Sequence, residues 1–241
     1  MHNHNQNHNR FKKELQIVDP VKKQESASLD EMQGCTPFDP PEVYDEKKKK
    51  IVPYEQMAYV LQCLTDEHKE VTGHLERFEK ALVDFKSNNF ILTREINAAF
   101  GDFFTYYDNH LLSHNEKEDK VLFPLLNQKL IENGEHSVGE NKMTAIDIME
   151  DDHVKFIQLG TLSFNLFGLA SRIRDAEARS FVCDTGYNAG RELIELLRLH
   201  IYREDYTLFP LAHELLSKEE FESMKPAFDK YKIEEEHNCS C

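Results

Sequence analysis

One segment of the chain occurs twice, and this duplication constrains the fold more than any other feature of the sequence. The first copy is HNEKEDKVLFPLL, which begins at His114, and the second is HIYREDYTLFPLA, which begins 86 residues later at His200. An acidic-acidic-His segment that ends at His68 likewise recurs 85 residues later, at His153. Such a repeat predicts two equivalent helical hairpins.

Four long helices are predicted by apolar residues at alternating spacings of three and four. Histidine and glutamate interrupt these apolar stripes at six core positions: His68, His114, Glu118, His153, His200 and Glu204. Because residues four apart lie on one face of a helix, His114 and Glu118 point to a common region. The same relation holds for His200 and Glu204. We therefore predict an all-α fold, an antiparallel four-helix bundle built as a duplicated helical hairpin.

The composition divides the chain into three parts. Residues 1–52 are rich in Asn, Lys, Gln and Pro, which predicts an irregular or disordered N-terminal arm. Residues 53–216 carry the four apolar stripes of the bundle. Residues 217–241 predict a short amphipathic helix, from Ser217 to about Tyr231, followed by a tail. Pro124 and Pro210 stand six residues after the two glutamates, and we expect each to bend or break its helix.

Charge and composition exclude several classes of partner. The formal net charge is −15 and no basic stripe is present, which disfavours nucleic acid and anionic membrane surfaces. No apolar run approaches the roughly 20 residues of a membrane helix, and the N-terminus lacks a secretory signal. Five cysteines form no framework spacing, as expected for reduced thiols. These features predict a cytoplasmic protein.

The six polar core positions predict a metal centre. Burying imidazoles and carboxylates without partners costs roughly several kcal/mol, and metal cations would supply the compensating charge. Structural zinc sites are usually rich in cysteine, whereas the cysteines here lie away from these positions. Mixed imidazole and carboxylate ligation inside a helical bundle favours iron or manganese. We favour two iron ions.

The paired His-x-x-x-Glu and Leu-Phe-Pro segments resemble the hemerythrin-like (HHE cation-binding) family over about residues 54–216. This resemblance implies an antiparallel four-helix bundle around a non-haem di-iron centre with an oxo or hydroxo bridge. It also implies three pairs of ligands, with His68 and His114 on one iron, His153 and His200 on the other, and Glu118 and Glu204 bridging both.

Two positions depart from the pattern of the oxygen-carrying members of that family. Those proteins have a His-x-x-x-His pair on the third helix, whereas Ile157 stands four residues after His153 here. They also have a bridging Asp five residues after a histidine, and Asp205 stands at that distance from His200. Asp205 is therefore an alternative bridge, although the duplication favours Glu204.

Two further residues lie in the same stripe as His114. His110 lies one turn before it and is a candidate ligand or hydrogen-bond donor. Tyr107 is a candidate hydrogen-bond donor to the centre or its ligand, with packing in the aromatic core as the alternative.

The resemblance implies a protein that binds iron and reacts with a small ligand, O2, NO or peroxide, as a sensor, scavenger or stress protein. An electron donor is then an expected partner, and the set of four His and two Glu, one imidazole fewer than in the oxygen carriers, disfavours reversible oxygen carriage. One alternative is a repair protein that donates iron to di-iron or iron-sulfur proteins, with Cys239 and Cys241 assisting transfer. Another is an iron sensor whose folding depends on metal.

Overall fold

The computed structural model describes residues 52–138 and 141–238, with the backbone alone for residues 232–238. All regular secondary structure in these ranges is helical, which confirms the all-α prediction there. The α-helices are α1 Tyr59–Ser87, α2 Arg94–Tyr106, α3 Leu112–Lys117, α4 Phe123–Glu132, α5 Ala145–Ala170, α6 Ala176–Arg203, α7 Phe209–Leu215 and α8 Lys218–Asn238. Three π-helical turns join some of them: π1 Tyr107–Leu111, π2 Glu118–Leu122 and π3 Glu204–Leu208.

Two predicted regions fall outside the described residues. The N-terminal arm does so except at its last residue, Val52, and so do Cys239 and Cys241. The predicted C-terminal helix is present as α8, which continues past Tyr231 to Asn238.

Helix boundaries coincide with capping side chains. Thr93 precedes α2, and its hydroxyl accepts a hydrogen bond from the Ile96 amide. Thr144 precedes α5 and forms a capping box with Asp147. The Thr144 hydroxyl accepts a hydrogen bond from a backbone amide in the first turn, and the Asp147 carboxylate accepts one from the Thr144 amide. Asp175 caps α6 in the same manner as Thr93. These caps satisfy amides at a helix start that have no partner within the helix.

The two prolines do not break their helices. Pro124 and Pro210 are the second residues of α4 and α7, and a π turn ends just before each of these helices. Proline is tolerated in the first turn of a helix, since its missing N–H would have no intrahelical acceptor there. Helical structure therefore continues without interruption over residues 94–132 and over residues 176–215.

The helices pack around a core rich in aromatic residues. α5 packs along α6, α1 packs against α2 and α6, and α4 packs against α5 and α7. Phe78 stacks on Phe103 with ring centroids 3.9 Å apart, and Phe100 stacks on Phe167 at 4.8 Å. The buried residues of this core come mainly from α1, α2, π1 and α6.

α8 lies against α1, α3 and π2. Its buried side chains are Phe221, Met224 and Phe228, the inner side expected from the amphipathic pattern. Within the described ranges, none of the helices is both long enough and apolar enough to cross a membrane.

Candidate metal centre

All six polar core residues are buried in the same region. The histidines lie on four helices, and the two glutamates are the first residues of π turns: His68 on α1, His114 on α3, His153 on α5, His200 on α6, Glu118 on π2 and Glu204 on π3. π turns insert an extra residue into a helix and frequently occur at functional sites. Here π2 and π3 each begin at a candidate ligand.

The histidines form two close pairs through their Nε2 atoms. The Nε2 atoms of His68 and His114 are 3.2 Å apart, and those of His153 and His200 are 3.1 Å apart. Each pair therefore presents two imidazole nitrogens to one point, which is the arrangement that a single cation requires.

Each glutamate connects the two histidine pairs. The Glu204 oxygens lie 3.1 Å from Nε2 of His68 and 3.2 Å from Nε2 of His200. The Glu118 oxygens lie 3.5 Å from Nε2 of His114 and 3.4 Å from Nε2 of His153. Two groups of candidate ligand atoms result, each within 4.8 Å, and both glutamates belong to both groups.

These residues fit a pair of cations. Glu118 and Glu204 are completely buried, and none of their four carboxylate oxygens has a hydrogen-bond partner. Buried carboxylates without partners are costly, so a positive charge between them would stabilise the folded chain. The donor set of imidazoles and carboxylates suits a borderline transition-metal ion such as iron or manganese.

Outer carboxylates orient two of the histidines by their other ring nitrogen. Asp205 lies 2.8 Å from Nδ1 of His68, and Asp119 lies 2.8 Å from Nδ1 of His153. Asp119 and Asp205 occupy the same position in the two repeats. Such contacts favour a proton on Nδ1, and Nε2 would then be the nitrogen that binds a metal ion once its own proton is displaced.

The other two histidines have outer acids that are themselves paired with cationic side chains. Glu67 lies 2.7 Å from Nδ1 of His114, and the Lys117 ammonium donates to Glu67 at 2.8 Å. In the second repeat, Asp152 lies 3.6 Å from Nδ1 of His200 and accepts from the Arg203 guanidinium at 3.1 Å. The same order of cation, acid and imidazole therefore occurs twice.

Phenylalanines from the repeated Leu-Phe-Pro segments cover two of the imidazoles. Phe209 stacks on His68 with ring centroids 5.5 Å apart, and Phe123 stacks on His153 at 5.8 Å. Both phenylalanines are fully buried. The Leu-Phe-Pro segments thus place apolar rings beside the polar centre. The proline after each phenylalanine fits the first turn of α4 or α7, where no backbone N–H is needed.

In the metal-free chain the buried carboxylates favour protonation of the imidazoles beside them. Burial opposes protonation of His68, but Asp205 and Glu204 outweigh this effect and raise its pKa to about 10. His153 follows the same balance, with Asp119 and Glu118 raising its pKa to about 10. Burial tends to raise the pKa of Glu204, but the neighbouring imidazoles hold it well below its usual range. A metal ion would displace these protons from the imidazoles.

Three further candidates from the sequence lie away from the ligand groups. Asp205 contacts the outer nitrogen of His68 and is in neither group, so the geometry does not give it the bridging position. The ring of His110 stacks on Tyr106, with centroids 5.0 Å apart. Tyr107 directs its buried hydroxyl toward Gly160, and a Cβ added to that glycine would lie 2.9 Å from the hydroxyl oxygen.

Glu67, Asp119 and Asp152 were not predicted as functional residues, and Asp205 was predicted as a bridge and not as a partner of His68. The signal was present, because Glu67 and Asp152 repeat before His68 and His153, and Asp119 and Asp205 repeat after the glutamates. Sequence spacing does not show that each acid contacts a histidine on a different helix.

The described residues define a helical protein with a buried cation-binding centre made of imidazoles and carboxylates. Residues 59–212 match the Hemerythrin HHE cation binding domain, and the chain belongs to this family. No curated protein shows significant similarity to the chain.

Proposed function

We propose that this chain is a non-haem di-iron protein whose four long helical segments form an antiparallel four-helix bundle. The observation that carries the proposal is the sharing of Glu118 and Glu204 between two groups of buried donors. A mononuclear site would leave one histidine pair and two carboxylate oxygens without a cation. Support for iron comes from the donor chemistry and from membership of a cation-binding family.

The ligand sets follow from the contacts. One ion would be held by His68 and His114, the other by His153 and His200, and both by the bridging Glu118 and Glu204. Each ion then has four protein donors. Iron commonly takes up to six ligands, so coordination positions remain for water or a small molecule.

We further propose that the centre reacts with O2, NO or peroxide in a sensing, scavenging or stress role. Reduced iron at such a site supplies electrons to a small bound ligand. The chain contributes outer acids that hold the imidazoles and aromatic walls, Phe123 and Phe209, that exclude bulk water. Exclusion of water strengthens electrostatic interactions within the site.

The test is an anaerobic titration of metal-free protein with ferrous iron, followed by exposure to O2, NO and peroxide in turn. We expect two irons per chain and a charge-transfer absorption band with at least one ligand. Reversal of the band on removing O2 would indicate binding, and irreversible oxidation would indicate turnover or scavenging. His213→Ala, on α7 outside both ligand groups, is the matched control and should load fully. Saturation at one iron would contradict the di-iron proposal.

A second candidate function is iron sensing through folding. It is favoured by the four carboxylate oxygens of Glu118 and Glu204 that have no hydrogen-bond partner, because a bound cation would stabilise these buried groups. Thermal melts of the iron-loaded protein with and without chelator test this function. An unchanged melting temperature after complete iron removal would eliminate it.

A further inference from the structure

The outward face of α5 exposes more large apolar side chains than any other described helix. Six of these side chains lie on α5: Ile148, Val154, Ile157, Leu162, Phe164 and Leu169. Val154 and Phe164 are 54% and 57% exposed. At 3.6 residues per turn, Val154, Ile157 and Phe164 lie on the same side of α5 as Thr161, and exposed apolar side chains grouped on one side of a helix favour an interaction site.

Charged residues are absent from the middle of this helix. Residues 156–171, FIQLGTLSFNLFGLAS, contain no Asp, Glu, Lys or Arg over roughly 24 Å of helix at 1.5 Å per residue. Gly168 lies on this exposed face, and a Cβ added there would meet nothing within 4 Å. Packing within the described chain therefore does not account for a helix-weakening glycine at this position.

Opposite charges flank the uncharged face. Glu150 and Asp151 are exposed near its amino end, and Arg172 and Arg174 are exposed just beyond its carboxyl end. None of the four forms an ion pair with another described residue among the salt bridges of this structure. One end of the face is thus acidic, the centre is uncharged, and the other end is basic.

We propose that the outward face of α5 is a homodimer interface in which the α5 helices of two copies pack antiparallel. Antiparallel pairing brings the acidic end of each copy to the basic end of the other, so the face is complementary to itself. A twofold axis makes the same contacts twice, as in most homodimers.

If the two α5 helices cross at Thr161, oppositely charged residues lie near each other and an exposed valine lies opposite a glycine. Glu150 and Arg172 are each 11 residues from Thr161, with Arg172 just beyond the end of α5, so the pairing brings them near each other across the axis. Val154 and Gly168 are also equally distant from it, which places an exposed valine over the open glycine of the second copy. The small Thr161 lies where the two helices cross.

The contact is expected to be reversible. A helix face about 24 Å long and about 10 Å wide covers about 240 Å², which is well below the roughly 800 Å² that each partner buries in a standard stable interface. The dimer should therefore dissociate on dilution and respond to salt, since its ends are held by exposed charges.

The test uses two charge-reversed forms of the full chain, E150K/D151K and R172E/R174E, studied by sedimentation velocity over a wide concentration range. Each form alone places like charges at both ends of the interface and should be monomeric. Their equimolar mixture pairs opposite charges at both ends and should form a heterodimer. A heterodimer from two monomeric variants would also show that both remain folded.

A matched pair of apolar substitutions checks the centre of the face. Val154→Lys should abolish dimerisation of the natural sequence, whereas Val83→Lys, at a comparably exposed valine on α1, should not. A natural chain that stays monomeric at every concentration overturns the proposal, and this is the outcome expected if residues 1–51 cover the face instead. A dimer that survives Val154→Lys, or a mixture that fails to associate, also overturns it.

Discussion

Asp205→Asn tests whether the outer acids set the affinity of the metal centre. The Asp205 oxygen lies 2.8 Å from Nδ1 of His68, a length typical of a charge-assisted hydrogen bond. Such bonds contribute about 1.5–3 kcal/mol, which corresponds to roughly 10- to 100-fold in affinity. The Asp205 side chain is 27% exposed, so solvent screening places the expected effect near the lower end, about tenfold.

The assay is an anaerobic competition titration with ferrous iron against a chromogenic chelator. Only one of two bound equivalents should weaken, because Asp205 contacts a ligand of one ion. Asp119→Asn should give a similar loss, since Asp119 holds His153 at the same distance. Asp184→Asn, which removes a surface partner of Lys86, should change neither equivalent.

Two outcomes of that titration would refute the reasoning. If both iron equivalents keep their affinity in Asp205→Asn, the outer hydrogen bond does not orient His68. If both equivalents are lost together, Asp205 bridges the ions, as the alternative from the sequence proposed. Circular dichroism of the metal-free variants separates either result from unfolding.

Further predictions concern loading, pH and packing. Glu118→Ala should reduce bound iron from two per chain to one or none, measured by elemental analysis, because both ions lose a shared donor. In the metal-free chain the pKa of His68 is raised to about 10, so the folded state binds more protons than the unfolded state above its usual pKa. The melting temperature without metal should therefore fall as pH rises from about 7 to 9, and a flat profile would contradict this. Gly160→Ala would bring a Cβ to 2.8 Å from the Tyr107 ring and should cost about 1–3 kcal/mol in urea unfolding. The control Gly101→Ala, at an open exposed position, should be neutral or stabilising.

The duplication predicted the all-helical fold and the six residues that the structure brings together. A period of 3.6 residues places His114 and Glu118 on one face, and the repeat then places His200 and Glu204 equivalently. Burial of polar side chains in an apolar stripe was the decisive signal. The spacing of residues predicts which side chains share a helix face wherever the helix has regular turns of 3.6 residues.

The prediction was less informative where the helix is irregular. His110 was considered a ligand candidate because it lies one turn before His114, but π1 spans residues 107–111 and has no counterpart in the second repeat. An extra residue in the turn rotates the residues before it relative to those after it. His110 consequently stacks on Tyr106 instead of lying in the centre. Pro124 and Pro210 do not break their helices, because π2 and π3 end just before α4 and α7 and place each proline in a first turn.

The outer contacts of His68 and His153 could not be predicted because they cross between the two repeats. Asp205 and Phe209 belong to the second repeat but hold His68 of the first, while Asp119 and Phe123 of the first hold His153. No spacing along the chain encodes which helix lies opposite.

This reciprocal exchange has a consequence for cooperativity. Neither hairpin possesses a complete metal position, because Glu118, Asp119 and Phe123 complete the second one, and Glu204, Asp205 and Phe209 complete the first. The hairpins cannot separate without opening both positions. In the proposed di-iron protein, bound metal would therefore act as a cross-link that joins the unfolding of the two repeats into a single event. Calorimetry should give one sharp transition for the loaded chain and a broader one after chelation, as the coupling between the repeats weakens.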